Sequence, residues 1–311
     1  MLLIREDEVR LLLPMPEAIR LVREAFAALA GGTAQNQPRR RLQVPGGAVL
    51  HQLAGSAGGY FGTKTYSTHP KHGAWFLVQL FESSTGRPVA IIEANHLGQI
   101  RTGAASGVAT ERLARPESSR LGVIGSGFQA RAQVDAIRCV RNIGEMRVWS
   151  RNPAGRETFA RELGCVAAGS AEEAVRDADI VVTATSARDP VVESAWVREG
   201  AHINAIGSNN PQRRELPADL IARADVIAVD AKDQAKVESG DLLLAWAEAD
   251  WSSPRLCELQ QVVSGIRGRS SPAELTIFKS NGLGVEDVAV AGYVYERAVA
   301  EKVGMPLDLY S

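Results

Sequence analysis

Cysteine is scarce. Cys139, Cys165 and Cys257 are the only three thiols in 311 residues and lie far apart, which argues against a disulfide framework and fits a reducing compartment. Histidine is equally thin: of five, only His69 and His72 in "HPKH" are close neighbours. Pro70 separates them and no Cys or Asp lies near, so a metal site is not expected. No apolar run reaches the ~20 residues that span a bilayer. The opening "MLLIREDEVR" meets acids by position 6, unlike a signal peptide. Charge of one sign is missing too. With 35 Lys and Arg against 36 Asp and Glu the net charge is -1, which disfavours nucleic-acid and membrane-surface partners. Repeats and low-complexity segments are absent. A cytoplasmic protein without a metal is expected.

What remains is enough to build a core. The chain is 45% hydrophobic and long enough for two domains or one large one. Pro14 and Pro16 open a segment in which Ile19, Val22, Phe26 and Leu29 recur at helical spacing, until Gly31-Gly32 stops it. Five strand-like runs follow, "RRLQV", "AVLHQL", "GYFGTKTYS", "AWFLVQLF" and "RPVAIIEA", the last two joined by the turn "ESSTG". They predict an antiparallel sheet in an α+β domain. Asn95 is placed to cap the next helix, which is rich in Gly, Ala and Ser.

From position 120 short apolar runs alternate with helical segments: "RLGVIG", "EMRVWS", "DIVVTAT", "HINAIG" and "DVIAVD". This order predicts an α/β, Rossmann-type, doubly wound parallel sheet. The long helix "VEDVAVAGYVYERAVAEKVG" then returns to the first domain and makes it discontinuous. The polar stretch Arg115 to Ser119 is the natural boundary. The expected division is 1–115 with 290–311, and 116–289.

Gly125, Ser126, Gly127, Phe128, Gln129 and Ala130 form a G-x-G-x-x-A between an apolar strand and a helix. Gly125 permits a tight turn, Gly127 lets backbone approach a pyrophosphate, and Ala130 keeps the helix close to the sheet. The next strand ends in Ser150, Arg151 and Asn152, where an NAD-selective site places an acid. A hydroxyl and a guanidinium suit the 2′-phosphate of NADP(H), with NAD(H) as the second option. Another strand ends in Gly207-Ser208-Asn209-Asn210, a favoured place for catalytic groups that offers no acid, base or thiol.

Strand alternation puts Tyr60, Gly62, Lys64 and Tyr66 on one face, and Arg39 and Arg41 on one face of the first strand. Arg101 lies near the start of the helix after Asn95. Each cation alone suits a surface. Together they suggest a pocket for a carboxylate.

Those residues carry a resemblance. "QPRRR", "GTKTYSTHP", "QIRTGAAS", "GVIGSGFQA", "INAIGSNNPQRREL" and "TIFKSNGLGVEDVAVA" are similar, in order, to segments of the ornithine cyclodeaminase and mu-crystallin family. The resemblance implies a homodimer formed by the first domain and a Rossmann domain that binds a nicotinamide cofactor. It implies that Arg39, Lys64 and Arg101 hold a substrate carboxylate, with Arg41 as an alternative to Arg39. It also implies that Thr183, Ala184, Thr185, Ser186, Ser208 and Ser280 lie near the nicotinamide or its ribose. The cyclodeaminase pattern has an aspartate where this chain has Asn209, and a further acid in the region of Leu50, His51 and Gln52. Asparagine is no base and holds no ammonium as a carboxylate does. The expectation is an NADP-dependent reductase or dehydrogenase of a small imino or amino acid, such as pyrroline- or piperideine-2-carboxylate. Lys64, Arg101 and Asn209 would be its catalytic positions. The alternatives are an ornithine cyclodeaminase and a non-catalytic ligand-binding protein of the mu-crystallin type.

Overall fold

The computed structural model describes residues 1–309. The chain opens with β1 (Leu2–Ile4), α1 (Glu6–Leu12) and α2 (Met15–Ala30), followed by the strands β2 (Gln35–Gln43), β3 (Val49–Ala57), β4 (Tyr60–His69), β5 (Gly73–Glu82) and β6 (Pro88–Glu93). The helix α3 (Asn95–Leu113) leads to β7 (Arg120–Ile124), α4 (Phe128–Val140), β8 (Glu145–Trp149), α5 (Pro153–Leu163), β9 (Val166–Ala167), α6 (Ala171–Val175) and β10 (Ile180–Thr183). Next come β11 (His202–Ala205), α7 (Ala218–Arg223), β12 (Val226–Val229), α8 (Lys232–Glu238), α9 (Gly240–Leu243), β13 (Leu256–Glu258) and α10 (Leu259–Val263). The chain then finishes with β14 (Thr276–Lys279), α11 (Gly284–Glu301) and β15 (Met305–Pro306). It divides into two compact units, 1–104 with 282–311 and 105–281. It passes between them inside α3 and at Asn281–Gly282, where the sequence alone suggested 115–116 and 289–290.

The first unit is a discontinuous α+β layer. Its sheet runs β15-β1-β6-β5-β4-β3-β2, seven strands where the sequence suggested five. The five expected strands do form an antiparallel meander. β1 adds in parallel to β6, and β15 pairs with β1. Both extra strands are too short to show alternation. One face packs under α11, and α2 packs on α11, with Ile19, Val22, Phe26, Leu53, Val78, Leu80 and Val294 buried. The other face leaves Phe61, Trp75 and Leu77 exposed. The start of α3 is not capped by Asn95 as expected. Glu6 does it, accepting from the backbone N–H of Asn95 at 2.5 Å and of His96 at 2.9 Å. A carboxylate is the stronger acceptor at a helix N-terminus.

The second unit is a parallel sheet in the order β13-β12-β14-β11-β10-β7-β8-β9. Eight strands replace the five expected; β9, β13 and β14 are the additions. Both faces are buried: Leu121, Val123, Val148 and Ile180 belong to one apolar cluster, and Val181, Ile203, Ile227 and Ile277 to another. The order reverses between β7 and β10, and ligands bind such sheets at that crevice beyond the carboxyl ends of the strands. Among the described residues no helix is long and apolar enough to cross a membrane.

Candidate active site

A groove of about 1190 Å³ opens at that crevice. Gly125 ends β7 with φ 115, and a side chain on it would overlap the Ala184 carbonyl. At Gly127, which precedes the first turn of α4, the place of a Cβ is open space. The unsatisfied N–H groups of that turn suit a pyrophosphate, so the residues present fit a dinucleotide. Gly125 to Gln129, Ser150 to Asn152, Ala184 to Ser186 and Gly207 all line the groove. Ala130 lies beneath it in the apolar cluster, seating α4 on the sheet.

At the end of β8 no acid is present. The Ser150 hydroxyl pairs with that of Ser126 at 2.9 Å, and Arg151 is exposed. The Asn152 side chain is committed to the start of α5, accepting from Gly155 N at 3.2 Å. Arg188 also lines the groove. Its loop follows "TATS" with no pattern to mark it.

Three expected cofactor residues are set back from the groove lining. Thr183 is fully buried and donates to Glu215 Oε2 at 2.9 Å. Ser208 is buried and donates to the Arg213 carbonyl at 3.2 Å. Ser280, also buried, gives its backbone N–H to Ala205 O at 3.1 Å. Asn209 is exposed in the loop after β11. Asn210 builds the turn beside it, its Oδ1 accepting from Gln212 N at 2.8 Å. The carboxylate of this region is Glu215, which sequence reasoning passed over inside the polar run "QRREL".

The first unit gathers Arg39, Lys64 and Arg101, each 9% exposed or less. Lys64 Nζ donates to Asp287 Oδ1 at 2.7 Å, and Arg101 Nε donates to the same oxygen at 2.9 Å. Arg101 Nη1 reaches Glu286 Oε2 at 3.0 Å. Arg39 Nη2 donates to the Gly282 carbonyl at 3.2 Å. Gly282 has φ 79, and a Cβ there would collide with the Arg101 guanidinium. Three cations, Arg39, Lys64 and Arg101, thus gather in one buried cluster with the carboxylates of Glu286 and Asp287. The Lys64 pKa is lowered to about 8, chiefly by burial and then by the Arg101 charge, with Asp287 opposing both. Arg41, expected on the same face as Arg39, is exposed. His51 stacks flat on Tyr66 at 4.3 Å. Burial, then the charges of Arg41 and Arg39, lower its pKa to about 4, so it is neutral at pH 7. The sequence hid Glu286 and Asp287, because acids are ordinary in the first turn of a helix.

A doubly wound sheet with a dinucleotide groove, joined to an α+β unit with a buried cluster of cations and carboxylates, defines a dinucleotide-binding α/β protein. Residues 1–302 match the ornithine cyclodeaminase/mu-crystallin family, and the chain belongs to that family. It is 40% identical over 240 residues to a Delta(1)-pyrroline-2-carboxylate reductase of Bacillus cereus, covering 75% of this chain and 74% of that protein. It is similar to the structure of Thermococcus litoralis Delta(1)-pyrroline-2-carboxylate reductase in complex with NADH and L-proline. That match has a TM-score of 0.92 and 34% identity, over 99% of this chain and 100% of the other. An archaeal alanine dehydrogenase dimer with bound NAD matches with TM-score 0.94 and 37% identity, over 100% and 99% of the two chains.

Proposed function

We propose that the protein is an NADP-dependent reductase of a small cyclic imino acid, with pyrroline- and piperideine-2-carboxylate as the leading substrates. One observation carries this reading: the burial of three cations, Arg39, Lys64 and Arg101, in one cluster, in a chain that also holds a dinucleotide groove. The relatives that reduce pyrroline-2-carboxylate support the substrate class.

Reduction of a C=N bond places a hydride on carbon and a proton on nitrogen. A reduced nicotinamide cofactor held along Gly125 to Gln129 would supply the hydride when bound. Arg39 and Arg101 clamp the substrate carboxylate, and their planar forks suit its two oxygens. Lys64 carries a proton below about pH 8, so at neutral pH it adds to the anchor and supplies the proton that nitrogen gains. Solvent then restores it. Ser150 and Arg151 at the ribose end favour the 2′-phosphate of NADPH over the 2′-hydroxyl of NADH. The exposed sheet face of Phe61, Trp75 and Leu77 suits a second copy of the chain, giving a homodimer through the first unit.

Asn209 supports reduction over cyclodeamination, because an amide cannot exchange protons with a second ammonium. The test is a screen of imino acids with NADPH and NADH, and of amino acids with NADP and NAD, followed by nicotinamide absorbance. Oxidation or reduction of the cofactor by none of these substrates would overturn the reading.

A further inference from the structure

Glu215 is completely buried, yet it makes contact with residues that line the groove. Its Oε1 accepts from Thr185 N and Thr185 Oγ1, both at 2.7 Å. Its Oε2 accepts from Gly207 N at 2.8 Å and Thr183 Oγ1 at 2.9 Å. One carboxylate therefore ties the end of β10 to the end of β11, and Thr185 and Gly207 both line the groove. A side chain on Gly207 would collide with Glu215 and the Thr185 backbone.

The donors decide the charge state. Each oxygen faces one backbone N–H, and a backbone N–H cannot turn away. A glutamine would point its NH₂ at one of them in either orientation, and a protonated carboxyl would also lose an acceptor. The ionised form accepts from all four donors with neither hydroxyl having to turn. The support behind it is ionic too. Asp241 Oδ1 accepts from Glu215 N at 2.6 Å and Leu216 N at 2.9 Å. Lys279 Nζ pairs with Asp241 Oδ2 at 3.0 Å and donates to the Ser208 carbonyl at 2.6 Å. Two carboxylates against one ammonium leave a negative charge behind the groove wall. It lies at the end remote from Ser150 and Arg151, since β10 and β11 are on the far side of β7 from β8.

We infer that Glu215 is a positioning residue whose ionised carboxylate fixes the nicotinamide end of the groove and favours the oxidised cofactor. The inference rests on the dinucleotide reading of the groove. The oxidised nicotinamide ring bears a positive charge that the reduced ring lacks, so a fixed anion behind the wall holds the two forms unequally. The same charge favours departure of hydride, as positive charge develops on the ring. Burial raises the Glu215 pKa and the Asp241 charge adds to it, against the pull of Lys279 and the Thr185 donors; acidification therefore removes the effect.

The test is a fluorescence titration of the full chain with NADPH and NADP, with far-UV circular dichroism as the folding control. Glu215→Gln should weaken both cofactors by about tenfold. It should also shift the ratio of affinities toward the reduced form by about threefold or more. Thr185→Val keeps the charge, so it should weaken both forms less and leave the ratio in place. If Glu215→Gln does not fold, the wild-type ratio followed as the pH is lowered serves instead, and it should move toward the reduced form. A ratio that stays constant in the folded Gln variant, or in the wild type down to the pH at which the fold is lost, overturns the inference. Wild-type protein that binds neither cofactor overturns the dinucleotide reading itself.

Discussion

Lys64 donates to Asp287 Oδ1 at 2.7 Å, and the two side chains are 3% and 0% exposed. In the proposed reductase this pair sets the charge of the carboxylate anchor. Lys64 titrates near pH 8, lowered chiefly by burial and raised by Asp287. It is an ammonium below that value and a neutral amine above it. KM for the imino acid should therefore rise, and kcat/KM for reduction fall, as pH increases through about 8. Asp287→Asn removes the contribution that holds the proton, so the same limb should move to lower pH. A pH profile of kcat/KM for the two proteins checks both statements; an unmoved limb refutes the role given to Asp287.

Arg101 bridges Glu286 and Asp287 in the same buried cluster. Truncation to alanine leaves those carboxylates short of a cation and should destabilise the fold by about 3–5 kcal/mol. Arg101→Lys keeps the charge but not the fork, so kcat/KM should fall about tenfold or more while cofactor affinity stays the same. Gly282→Ala should resemble it, because the added methyl collides with the guanidinium and φ is 79. Denaturant melts and cofactor titrations separate the two effects.

The second unit was the more legible half, because its strands are apolar runs and the G-x-G-x-x-A lies at a strand–helix turn. β14 escaped notice because "TIFK" ends in a lysine, and the buried Lys279 finds its partners, Asp241 and the Ser208 carbonyl, far away in the sequence. β1 and β15 have too few residues to show a period, and the Glu6 cap on α3 is a long-range contact. In the site, alternation sufficed to bring out Lys64, but not its partner. Glu286 and Asp287 look like ordinary first-turn acids, and Glu215 like part of a solvated loop. Their burial is tertiary, so no local pattern reveals it.

Arg151 is exposed at the groove beside Ser150. If it meets the 2′-phosphate, Arg151→Ala should weaken NADPH by about tenfold or more and leave NADH almost unchanged. The NADPH affinity of the wild type should also fall with added salt. Equal affinities of the unmodified protein for NADPH and NADH would remove the NADP preference.

Trp75 and Leu77 are 59% and 43% exposed on the open face of the first sheet. A charge in such a patch opposes association. Leu77→Glu should turn a dimer into a monomer in light scattering, without loss of cofactor binding. A wild-type monomer at micromolar concentration would exclude the homodimer.

The last prediction concerns Asn209, in the loop that closes β11. A cyclodeaminase must hold the second ammonium of ornithine and exchange protons with it. A carboxylate does both, whereas an amide only hydrogen-bonds and cannot act as a base. Replacing a charge-assisted contact by a neutral one roughly halves its strength. The unmodified protein should therefore not convert ornithine to proline and ammonia at a useful rate. Asn209→Asp should shift preference toward diamino acids without full cyclodeaminase activity, because the end of β8 still lacks an acid and His51 stands in the strand where the cyclodeaminase pattern has one. Incubation with ornithine and catalytic NAD or NADP, followed by measurement of proline and ammonia, decides it. Robust proline formation by the unmodified chain would restore the cyclodeaminase reading and end the reductase one.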